Sequence, residues 1–105
     1  MARFDVYANP SNLARSTPYL LDVQSNLLAD LDSRMVIPLR SLDKFANVKI
    51  PTRLTPVIRI LGEDYLLETP KMGAVPQRIL KECVASLSDE QARITAALDF
   101  LFQGY

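Results

Sequence analysis

The chain has no histidine and a single cysteine, Cys83. Histidine exchanges protons most readily near neutral pH and is the commonest metal ligand, so its absence removes most metal-site and catalytic-triad readings. No metal or other cofactor is expected. One cysteine cannot close an internal disulfide, so Cys83 reads as a small packing residue in a reducing compartment. There is no surplus of charge either, 12 Lys and Arg standing against 12 Asp and Glu. That balance removes the usual reason to expect nonspecific binding to nucleic acid or anionic membranes, although a local basic patch stays open. No run approaches the roughly 18 apolar residues of a membrane span, and MARFDVYANP lacks a basic-then-apolar signal segment. A soluble, cytoplasmic protein is predicted. Its 105 residues are expected to form one domain over residues 1–105, with one core.

What is present is organised around the C-terminal stretch from Ser88 to Tyr105, SDEQARITAALDFLFQGY. Ser88 and Gln91 have the spacing of a capping box, Asp89 and Glu90 suit the positive end of a helix dipole, and Gly104 closes the helix. Ile94, Ala97, Leu98, Leu101 and Phe102 fall on one apolar stripe that predicts burial. Phe100 lies off that stripe with Ala92 and Ala96. Such a helix is either wedged between core and loop, or packs on its own barrel and also meets another chain.

The rest reads as short strands. Arg3–Ala8 alternates Phe4 and Val6 against Arg3, Asp5 and Tyr7. Asn9–Pro18 is rich in turn formers. Tyr19–Ser25 is a second strand with Leu21 and Val23 on one face and Asp22 and Gln24 on the other, after which Asn26, Leu27 and Leu28 lead to a turn. Arg34–Leu39 is a third, which Pro38 is expected to end. Ser41–Phe45 predicts one helical turn, then a loop through Asn47, Lys49 and Pro51. Pro56–Leu61 and Tyr65–Thr69 predict a hairpin turning at Gly62, Glu63 and Asp64. Lys71–Pro76 reads as a turn and Gln77–Leu80 as the last strand. Five or six strands followed by one helix predict a mainly β protein, a small antiparallel sheet or partly closed barrel. Tyr7, Tyr19 and Tyr65 read as barrel aromatics, and Asp22 and Arg34 as a structural ion pair across neighbouring strands.

DVQS (Asp22–Ser25), RMVIPL (Arg34–Leu39), MGAVP (Met72–Pro76) and the tail FQGY resemble the CcdB family of toxins, in order and spacing, across nearly all of the chain. The resemblance implies an SH3-like barrel of five to seven antiparallel strands with a C-terminal helix, assembled as a homodimer. It implies no enzymatic step: the family binds the A subunit of DNA gyrase and traps it on cleaved DNA, until a partly disordered CcdA antitoxin neutralises the toxin. DNA is then met only indirectly, through the autoregulating antitoxin complex, and no membrane is involved. Gyrase contacts carry over onto Leu27, Leu28, Asp99, Phe102, Gln103, Gly104 and Tyr105; the antitoxin contacts do not carry over to named residues. The best-known pattern ends in Trp-Gly-Ile, whereas this chain has Gln103 before Gly104 and Tyr105 after it. Two other functions compete: a MazF-like endoribonuclease, which would need Arg and Asp for its proton transfers and charge stabilisation, and a relative that only binds antitoxin.

Overall fold

The computed structural model describes residues 2–42 and 52–104. Most of the expected Ser41–Phe45 turn, the loop through Asn47, Lys49 and Pro51, and Tyr105 lie outside the described residues. Seven strands form one antiparallel sheet: β1 (Asp5–Ala8), β2 (Tyr19–Asp22), β3 (Ser33–Ser41), β4 (Val57–Ile60), β5 (Glu63–Leu67), β6 (Gly73–Pro76) and β7 (Cys83–Ser86). Their spatial order is β4-β5-β3-β2-β1-β7, with β6 also paired to β3. Helix α1 (Gln91–Gln103) follows. The molecule is therefore mainly β, a curled half-barrel with a C-terminal helix, as its sequence predicts.

The longest strand, β3, organises the sheet because it has more neighbours than it has sides. β2 pairs with Val36–Leu39, while β6 takes Ser33–Val36 and β5 takes Leu39–Ser41. Pro38 was expected to end this strand, yet the strand continues through it. Its carbonyl accepts from Glu68 N–H at 2.9 Å, so the backbone polar side of Pro38 faces away from β2. The missing N–H falls where the second neighbour changes from β6 to β5, and no ladder bond to β2 is lost.

Two expectations about the neighbouring strands are corrected. MGAVP is not a simple turn, since Gly73–Pro76 pairs with β3. Gln77–Ile79 is a 3-10 turn rather than a strand, and the last strand is Cys83–Ser86 on the open side of β1. Cys83 sits there exposed, not packed as expected.

The main core lies on the helix side: Phe4, Val6, Leu21, Val23, Ile37, Leu39, Ile58, Ile60, Tyr65, Leu67, Leu87 and Ile94. Tyr19 packs against it, its ring edge-on to Tyr65 at 5.2 Å. Tyr7, Leu20, Val36 and Leu80 form a smaller cluster. Because of this second cluster, Tyr7 and Asp22 are buried although their strand positions suggested solvent.

The helix starts two residues later than predicted, with Glu90 rather than Ser88 at the N-cap position. A 3-10 turn over Ser88–Glu90 comes first, in which Glu90 N–H donates to Leu87 C=O at 2.9 Å and Ser88 N–H to Ser86 Oγ at 3.3 Å. No capping box forms, since α1 has no side-chain cap at its start. Arg93 instead ties the first turn down, pairing with Glu90 and donating to Val57 C=O at 2.7 Å. Gly104 ends the helix as expected, with φ +81° and its N–H on Phe100 C=O at 2.9 Å. Burial fades along the stripe: Ile94 and Ala97 are fully buried, Leu98 and Leu101 partly, and Phe102 is exposed. The core accepts Ile94 and Leu98 but reaches no further along α1. Phe100, off the stripe as predicted, has an intramolecular neighbour: the Arg53 guanidinium stacks 4.5 Å from its ring centre.

Candidate target-binding surface

The turn after β2 shows why DVQS is followed by two leucines. Asp22 is held by Arg34, Nε to Oδ2 at 2.8 Å and Nη2 to Oδ1 at 3.0 Å. The same carboxylate accepts Gln24 N–H at 3.0 Å, which bends the chain out of the strand. Ser25 then caps a 3-10 turn over Asn26–Leu28, its Oγ accepting from Leu27 N–H at 3.2 Å. Asn26 Oδ1 accepts from Arg3 N–H at 2.8 Å, fixing the turn to the N-terminal edge. With both its ends tied, this turn lifts Leu27 to 94% exposure and Leu28 to 48%. Leu31, 49% exposed, extends the apolar surface. It was not among the predicted contacts, although the pattern NLLADL, with leucines at i, i+1 and i+4 among polar residues, could have revealed it.

The second group of predicted contacts is the last turn of α1. Asp99, Phe102 and Gln103 share a helix side by their i, i+3, i+4 spacing, and all three are exposed, Phe102 at 69%. Gly104 follows in the left-handed conformation that stops the helix. Phe102 is thus an exposed phenylalanine at the far end of a helix whose first turn is held by Arg93 and whose Phe100 ring meets Arg53. The described contacts tie Asn26 to Arg3, Leu28 to Gln24 and Gln24 to Met35, and tie α1 to Val57, Arg53 and the Thr69–Lys71 turn.

Charged and phenolic groups are arranged for structure. Burial, and next the Asp5 charge, pushes the Tyr7 phenol up to about 12. Burial likewise raises Tyr65, whose hydroxyl donates to Glu63 at 3.2 Å. Phenols held this firmly protonated are poor general bases at neutral pH. A polar concavity of about 380 Å³ is lined by Ser41, Leu42, Arg59, Gly62, Glu63, Asp64 and Tyr65. Its cation is already engaged, Arg59 Nε donating to Asp64 at 3.1 Å. Among the described residues no group of three or more His, Cys, Asp or Glu is placed to hold a metal ion, and no helix is long and apolar enough to cross a membrane.

The described residues thus form a small curled half-barrel with a C-terminal helix, and they carry exposed apolar side chains on the Asn26–Leu28 turn and at the end of α1. A family model described as CcdB protein matches residues 3–104. The chain belongs to the CcdB family, the toxins of toxin–antitoxin modules.

Proposed function

We propose that this toxin binds the A subunit of DNA gyrase, traps the gyrase–DNA cleavage complex without any catalytic step of its own, and is neutralised by a CcdA-like antitoxin. The observation that carries the reading is the exposure of Leu27 and Phe102, 94% and 69%, at positions that family resemblance gives as gyrase contacts. Large apolar side chains held in water by their own backbone contribute nothing to folding, and they suit the buried centre of an interface. Leu28, Asp99, Gln103, Gly104 and Tyr105 complete the proposed contact.

The test is incubation of the purified protein with gyrase and plasmid DNA, beside a parallel tube of RNA. Linear DNA after denaturation and intact RNA are expected. Degraded RNA would replace this reading with a ribonuclease. Removing residues 103–105 should abolish linearisation while leaving the melting temperature nearly unchanged, since terminal residues beyond the buried stripe make few packing contacts. Gln103→Trp should tighten gyrase binding by about 2 kcal/mol, because an indole buries a large flat area where an amide does not. A truncated chain that still linearises plasmid, or that unfolds, would remove the tail from the contact.

A further inference from the structure

We propose that Gln24 is the positioning residue of the Leu27–Leu28 projection, the side chain that converts the strand framework into a fixed presentation of both leucines. The inference rests on the reading of those leucines as target contacts. Each end of the Gln24 amide is used. Its Oε1 accepts from Met35 N–H at 3.0 Å, and its Nε2 donates to Leu28 C=O at 3.1 Å. The orientation of the amide follows from chemistry, since a backbone N–H requires an acceptor and a carbonyl requires a donor. The side chain thus clamps the last residue of the turn to β3.

The backbone of Gln24 is fixed as well. Its N–H donates to Asp22 Oδ1 at 3.0 Å, and its carbonyl accepts from Arg34 Nη2 at 3.4 Å. The buried ion pair therefore holds Gln24, and Gln24 holds Leu28. Nothing else described restrains the Leu28 carbonyl except Leu31 N–H, at 3.2 Å, which belongs to the same loop. Without Gln24 the turn keeps its anchor at Asn26 to Arg3 N–H, but its last residue is tied only to its own loop. With Gln24 that residue is tied to a strand of the sheet, and a preformed apolar projection loses less freedom on binding.

The test uses the full chain with Gln24→Glu, which keeps an acceptor for Met35 N–H but loses the donor to Leu28, and Gln24→Met, which loses both. Binding to purified gyrase A subunit is measured for each in the natural background and in a Leu27→Ala, Leu28→Ala background. One lost hydrogen bond predicts about tenfold weaker binding in the natural background, and no further loss where the leucines are already gone. Amide hydrogen exchange at Leu28 and Leu31 should accelerate at least about tenfold while Ile37 in the core is unchanged. Unchanged binding in the natural background, or equal loss in both, would overturn the proposal. So would exchange that is unchanged at Leu28, or that rises equally at Ile37, which is the signature of a merely structural role. If the natural chain does not bind gyrase at all, the proposed target falls, and the exchange measurement alone decides whether Gln24 positions the turn.

Discussion

Asp22 and Arg34 are both fully buried, with the carboxylate held bidentately. Burial pushes the Asp22 carboxyl above its ordinary value, against the opposing pull of Gln24 N–H and the guanidinium. A carboxyl raised on folding holds its proton more tightly in the folded chain than in the unfolded one. Its contribution to stability is then complete below the unfolded value of 3.8 and is lost as pH rises through the raised folded value. Any neutral replacement of Asp22 leaves a buried guanidinium without its counter-charge, a loss on the order of 3–5 kcal/mol; Asp22→Asn keeps the side-chain size and one acceptor oxygen and does not titrate, so it serves as the reference for pH dependence. Urea unfolding of both proteins should show the stability of the natural chain, minus that of Asp22→Asn, falling as pH rises above 3.8. A rise over that range would mean that the ion pair outweighs desolvation. The pairing itself was legible in the sequence, as opposite charges on neighbouring strands. Its burial was not, because that depends on the Tyr7, Leu20, Val36 and Leu80 cluster, whose Leu80 comes from a segment that reads as a strand but folds as a 3-10 turn. For Cys83 the error ran the other way: a residue type usually found inside sits on a sheet edge.

Strong periodicity made some elements easy to find. The helix and the strands β1 to β5 were legible, whereas β6 and β7 contain a glycine and a proline, or small side chains, and show no apolar alternation. They are strands because β3 and β1 have open edges for them, which is a tertiary cause invisible to local pattern. The capping box was lost in a similar way, since Leu87 N–H is held by Phe4 C=O at 2.8 Å and the chain then completes a 3-10 turn before the helix starts. The hairpin of β4 and β5 was predicted, but it turns one residue earlier than expected, at Leu61 and Gly62, with Ile60 opposite Glu63. Both turn residues have positive φ, +52° and +87°, the mark of a type I′ turn. Gly62 adopts this freely, while Leu61 has a side chain that disfavours it by about 1–2 kcal/mol and is 70% exposed, so it recovers little by burial. Leu61→Asn should therefore stabilise the fold by about 0.5–1 kcal/mol, Asn-Gly being a favoured pair for this turn. Chemical denaturation would show it as a higher midpoint at unchanged slope; a lower midpoint would mean that Leu61 makes contacts its exposure does not reveal.

At the scale of the whole molecule, the two apolar projections raise a question of assembly. Leu27 and Leu28 belong to the turn fixed by Arg3 and Gln24, and Phe102 to the far turn of α1, so the two exposed apolar groups are carried by different elements. The off-stripe position of Phe100 is a weaker argument for a second chain than its sequence position suggested, because Arg53 already covers the ring. The argument from separated projections is stronger. A two-fold dimer presents every surface patch twice, and it can set the leucines of one protomer beside the helix end of its partner. We therefore expect sedimentation at about 24 kDa, twice the 11.8 kDa of one chain, at micromolar concentration. If the contact surface is shared across the two-fold axis, a chain carrying Leu27→Asp and Leu28→Asp and a chain carrying Phe102→Asp should each fail to linearise plasmid with gyrase. Their mixed dimer would keep one intact composite surface, natural leucines from one protomer and natural Phe102 from the other, and should recover activity. A sedimenting species that stays at the mass of one chain would rule out the dimer. A mixed dimer that forms but remains inactive would place each contact surface within a single protomer.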